Sequence, residues 1–92
     1  MLFNGVAIAS LAVDEAGRLK GMPRLSAPGL FEADDPETGR ITQELADAIG
    51  DLPATLRRDD AALADAARAA LRRSLGRRLG KRPLVDVHLL RV

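Results

Sequence analysis

Residues 6 to 13, Val-Ala-Ile-Ala-Ser-Leu-Ala-Val, are an unbroken apolar run closed by Asp14, and they predict a β-strand. The larger side chains change phase within it: Val6 and Ile8 share one parity, Leu11 and Val13 the other. A strand covered on both faces, or one carrying a bulge, gives that pattern. Asp14 to Gly17 reads as a turn with Gly17 available for positive φ, and Leu19 to Leu25 returns antiparallel as a second strand. Pro23 cannot donate a ladder hydrogen bond, which places that strand at a sheet edge.

Ser26 to Gly39 holds prolines, glycines and an acidic cluster and reads as loop, with Leu30 and Phe31 as an anchor folded back on the core. Ile41, Leu45, Ala48, Ile49 and Leu52 recur at helical spacing, so a short amphipathic helix is expected from Arg40 to Asp51, with Thr38 as N-cap and Gly50 and Pro53 closing it. A longer helix starts at Asp59 or Asp60, whose carboxylates suit the exposed N–H groups and positive dipole end. It carries the stripe Leu63, Ala67, Leu71, Leu75 and Leu79 and stops at Gly80. Pro83 then opens a last strand, Leu84 to Arg91. Val85, Val87 and Leu89 should meet the helices, while Leu84, Asp86, His88 and Leu90 form a half-exposed far face.

The element order ββααβ implies a single small domain of the two-layer α/β (α+β) class. Its three-stranded mixed sheet has the order 2-1-3, with the first strand central, the last parallel to it and two helices on one face. The opposite sheet face has no cover from within the chain and is a candidate assembly face.

Composition narrows the chemistry. Among 92 residues there is no cysteine, which excludes disulfides and thiolate metal sites and fits a reducing compartment. No apolar run approaches a membrane span and the N-terminus lacks a signal peptide's basic region, so a soluble cytoplasmic protein without membrane partners is expected. Sixteen of the 43 hydrophobic residues are alanine, leaving enough larger side chains for one two-layer core. The net charge of +1 conceals a separation: residues 1–65 carry 6 basic and 12 acidic side chains, residues 66–92 carry 8 basic and 1 acidic. Such a dipole steers an anionic partner to one end or lets copies meet acid to base.

Arg68, Arg72, Arg73, Arg77, Arg78, Lys81 and Arg82 fall in a fifteen-residue stretch without an acid, and are candidate contacts for RNA or an acidic partner. No Tyr or Trp interleaves them, so base stacking has little to work with. His88 is the single histidine and lacks a nucleophile or a second ligand beside it in sequence, which argues against catalysis and against zinc. The acids Glu32, Asp34, Asp35 and Glu37 lack the spacing of a calcium loop. Gly76 to Arg82 fails as a phosphate loop in glycine spacing, in the missing Ser or Thr and in its place before a strand.

Three stretches together resemble the C-terminal domain of bacterial ribonuclease J, a metallo-β-lactamase/β-CASP enzyme. Phe3-Asn4-Gly5 with the apolar strand, then Val13-Asp14 and Gly17-Arg18-Leu19, is similar to the family's opening strand and hairpin. Pro23-Arg24-Leu25-Ser26-Ala27-Pro28-Gly29-Leu30-Phe31 resembles its proline, Ser-Arg-Gly and apolar pair, with Ala27-Pro28 replacing the arginine. Leu79-Gly80-Lys81-Arg82-Pro83 is similar to its basic approach to the closing strand. The resemblance implies a non-catalytic accessory domain that supports subunit assembly and activity, with the catalytic core or another subunit as partner. It also implies that zinc and the zinc-dependent endo- and 5′–3′ exoribonuclease chemistry belong to the parent's catalytic domains, whose His and Asp motifs are not in these residues.

Overall fold

Strand β1 (Val6–Val13) lies at the centre of the sheet, between β2 (Arg24–Ser26) and β3 (Leu84–Arg91), in the order β2-β1-β3. The computed structural model describes residues 5–32, 34–80 and 83–92. β2 runs antiparallel to β1 and β3 parallel to it, with Val6 opposite Leu84 through to Val13 opposite Arg91. Between β2 and β3 the chain forms α1 (Pro36–Gly50), α2 (Ala54–Arg57) and α3 (Asp60–Leu79). The order 2-1-3 and the ββααβ succession are as the sequence predicts, with α2 as one added turn after Pro53.

The phase change in β1 comes from neither a bulge nor burial of both faces. The strand pairs with β3 residue for residue. Ala7, Ala9, Leu11 and Val13 are buried beneath the helices, while Val6, Ile8, Ser10 and Ala12 lie on the other side. Small residues therefore begin the covered face and large ones begin the open face. From the helices Ile41, Leu45 and Ile49 of α1 and Leu63, Ala67, Leu71 and Leu75 of α3 complete the core. Leu30 and Phe31 pack against it, half-buried, as the anchor predicted.

The second strand is shorter than the predicted Leu19 to Leu25. Leu19 makes one bridge to Val13, and the ladder resumes only at Arg24, opposite Ser10. Two residues of β1 separate those contacts, but four residues, Lys20 to Pro23, separate them on the returning chain. Gly21 at φ +86° and the donor-less Pro23 let the surplus bulge out.

α1 begins four residues before the predicted Arg40, and its N-cap is Asp35, not Thr38. The Asp35 carboxylate accepts from the Glu37 N–H at 2.9 Å, and Pro36 occupies the first turn, where a missing N–H leaves no bond unmade. The Pro and acids read as loop are thus a helix start. α3 follows its prediction closely: Asp59 caps it by accepting from the Ala62 N–H at 3.1 Å, and Gly80 ends it at φ +63°. A stripe at spacing four drifts by about 40° per step on a helix of 3.6 residues per turn. Leu79 accordingly turns half out of the core, while Ala70 and Ser74 are buried beside Leu71 and Leu75.

Candidate assembly face and basic edge

Alternation along β1 and β3 assembles the open face in rows set by the ladder register. Leu84 lies beside Val6. Asp86, Ile8 and Ser26 form the next row, then His88, Ser10 and Arg24, then Leu90 and Ala12. The four predicted residues of β3 therefore share one face and are all exposed, with Leu84 at 50% and Leu90 at 62%, while Val85, Val87 and Leu89 turn to the helices. Met22 adds a further exposed apolar side chain at 54%. It joins Ser10, Arg24, His88 and Leu90 around a shallow concavity of about 430 Å³. Neither Arg24 nor His88 meets a carboxylate among the described residues.

Asp86 has a second place in this geometry. The N–H groups of Leu84 and Val92 point to β1, bonding Gly5 O and Val13 O at 3.0 and 2.9 Å. Successive N–H groups of a strand point to opposite edges, so that of Val87 points to the free edge of β3. There it donates to Asp86 Oδ1 at 2.8 Å. A carboxylate thus covers the middle of the unpaired edge, a protection against edge-to-edge strand addition.

Of the five described cations of the basic edge, two are paired from across the structure and one within its own helix. Arg78 Nε donates to Glu37 at 2.6 Å and its Nη2 lies 2.5 Å from Glu44, both on α1, while Arg77 also pairs with Glu44. Arg68 pairs with Asp65 at 2.7 Å on its own helix. Burial opposes the charge of Arg78, but hydrogen bonds to Glu37 and Glu44 hold its pKa above the ordinary value. Bonds from Arg40 and Arg78 hold the Glu37 carboxyl below its own. Arg72 and Arg73 project into solvent with no carboxylate partner among the described residues. Lys81 and Arg82 lie outside the described residues. The acids that pair with Arg77 and Arg78 are absent from the Arg68 to Arg82 stretch and arrive through the fold. Glu37 and Glu44, seven apart, share a face of α1, which was the signal available.

Among the described residues no three His, Asp or Glu side chains gather where they could hold a metal ion. Asp35 is a helix cap and Glu37 is engaged by arginines. No described helix is long and apolar enough to cross a membrane.

The sequence profile of the ribonuclease J C-terminal domain matches residues 1–92, the whole chain. The chain belongs to that family. It is the family of a C-terminal domain that is not itself catalytic. No curated protein matches the chain closely enough to add a relative.

The hairpin stretch that resembles ribonuclease J is a structural knot. Asp14 Oδ1 accepts from the N–H groups of Ala16 and Arg18, both at 2.9 Å, and those bonds with the Arg18 side chain keep its carboxyl below the ordinary range. Gly17, at φ +80°, passes so close to α2 that a Cβ would sit 2.1 Å from Arg57 O. Arg91, a residue the sequence did not single out, locks this corner. Its Nη1 donates to Asp14 O at 2.9 Å, its Nη2 to Arg57 O at 3.0 Å, and its Nε pairs with Asp60. At the Ala27-Pro28 departure the backbone still turns, with Leu30 N–H donating to Ala27 O at 3.0 Å, which seats Leu30 against the core without the family's arginine.

Proposed function

We propose that this ribonuclease J C-terminal domain is an accessory domain of a larger, cytoplasmic ribonuclease J-like enzyme of RNA processing and degradation, and that it works by packing. The face carrying Leu84, Asp86, His88 and Leu90 meets another subunit, the catalytic core or both, supporting assembly and hence activity. One observation carries the reading: an uncovered sheet face on which Leu84, Leu90 and Met22 are each at least half exposed beside Val6 and Ile8. The Asp86 cap over Val87 N–H favours contact through the face rather than the strand edge.

An RNA-binding role for the α3 edge has weaker support, because Arg68, Arg77 and Arg78 are already paired. If only Arg72 and Arg73 neutralise phosphates, log affinity falls against log salt with a slope of about −1.4 for single strands. Sedimentation velocity over a concentration series decides between the two. Self-association that RNA leaves unchanged is expected. A strict monomer that also fails to bind the catalytic core, yet binds RNA at low salt, would reverse the assignment.

A further inference from the structure

The C-terminal half of β1 floors the open face with small side chains. Ser10 and Ala12 leave space between His88 and Leu90 of β3 on one side and the surplus Lys20 to Pro23 with Arg24 on the other. Lys20 belongs to this face because Leu19 pairs with Val13, which is on the covered side, and successive residues alternate. Gly21, at φ +86°, turns the returning chain so that Met22 also lines the space. The resulting concavity of about 430 Å³ is within the size range of small-molecule sites. Its polar groups are of one kind. Lys20 and Arg24 are exposed cations with no carboxylate partner among the described residues. The Ser10 hydroxyl and the His88 ring add hydrogen-bond donors, and an imidazole keeps an N–H whether or not it is charged. No acid lines the space, since Asp86, one row away, turns Oδ1 to the Val87 N–H at the free edge. On α3 the fold meets its neighbouring Arg77 and Arg78 with Glu44; here it leaves neighbouring cations open. Like charges at one rim repel, and an anion between them removes that cost.

We propose that this concavity binds a nucleoside phosphate, either a free mononucleotide or one residue of a single-stranded RNA. Lys20 and Arg24 hold the phosphate, Ser10 and His88 donate to its oxygens or to the ribose, and Met22 and Leu90, 54% and 62% exposed, lay aliphatic surface against the base. Aliphatic contact reads no base edge, so recognition does not depend on sequence. A carboxylate from a protein partner is the poorer fit, having fewer oxygens for these donors and no ring to cover Met22 and Leu90. The site goes beyond the assembly reading. It shares His88 and Leu90 with the proposed packing face, so nucleotide and packing partner exclude one another there.

Heteronuclear NMR titration of the full chain tests this, with uridine 5′-monophosphate, uridine, inorganic phosphate and a short oligouridylate as probes. Leu84→Arg is titrated beside wild type: it lies outside the concavity, and its charge opposes packing of the face, so the site stays open whether or not the chain assembles. Saturable shifts at Ser10, Lys20, Met22, Arg24, His88 and Leu90 are expected with the monophosphate. Lys20→Gln and Arg24→Gln should each weaken binding by about tenfold, and the Arg72→Gln, Arg73→Gln double variant should leave it unchanged. Oligouridylate that binds more tightly than the monophosphate assigns the site to an RNA strand; affinity no greater assigns it to a free nucleotide. Inorganic phosphate or uridine binding as tightly as the monophosphate overturns the nucleoside phosphate assignment. So does the absence of saturable shifts in both chains at millimolar monophosphate. An acidic peptide that shifts these residues where the monophosphate does not would give the cations to a protein partner instead. None of these results bears on assembly, which sedimentation without ligand decides.

Discussion

The two faces of β1 are built on opposite plans. Beneath the helices the strand opens with Ala7 and Ala9 and closes with Leu11 and Val13, all nearly inaccessible to solvent. On the other side it opens with Val6 and Ile8 and closes with Ser10 and Ala12. A two-layer domain that met only water there would alternate apolar-in with polar-out. This one keeps β-branched apolar residues on the uncovered side, flanked by Leu84 and Leu90. The covered face therefore explains folding, and the open face is the surplus that folding does not use.

The sharpest way to break that comparison is to truncate one leucine on each side. Leu71 is fully buried, so Leu71→Ala should destabilise the domain by about 2–5 kcal/mol, enough to unfold much of a chain this small. Leu90 is 62% exposed, and Leu90→Ala should change the stability of the monomer by less than about 0.5 kcal/mol while weakening self-association. Urea denaturation at low concentration, paired with sedimentation, separates the two effects. Equal losses of stability would mean the open face belongs to the folding core.

A smaller effect is expected at the corner joining the hairpin to α2. Gly17→Ala forces a side chain into a positive φ and against Arg57 O, and should cost about 2–3 kcal/mol through strain and displacement of the turn. The loss should appear in the urea midpoint with dimerisation unchanged once the variant is folded, because the corner lies away from the rows of the open face.

The same contrast between faces explains what could be read in advance. Alternation in Leu84 to Arg91 and the stripe of α3 report directly on burial, so β3, α3, the sheet order and the grouping of Leu84, Asp86, His88 and Leu90 were legible. Features resting on contacts distant in sequence were not. Pro36 looked like a loop residue because its use as a first-turn proline depends on where the helix begins. Arg91 looked like an ordinary strand end, although it joins the hairpin, α2 and α3. The arginine run looked uniformly cationic because Glu37 and Glu44 come from another helix.

Those two glutamates yield the mildest and most specific prediction. Arg40 and Arg78 favour the charged form of Glu37, so its folded-state pKa is depressed below the ordinary 4.5. A depressed carboxylate contributes stability that is fully present above the unfolded pKa and is lost as pH falls through the folded one. Wild type should therefore exceed Glu37→Gln in urea midpoint by a small, constant margin at neutral pH, and the margin should close as the solution is acidified below 4.5. High salt should narrow it too, since both partners are partly exposed and screened. A margin independent of pH would assign the difference to packing of the side chain. It would also leave Arg77 and Arg78 sharing Glu44, so that the α3 edge is less fully neutralised.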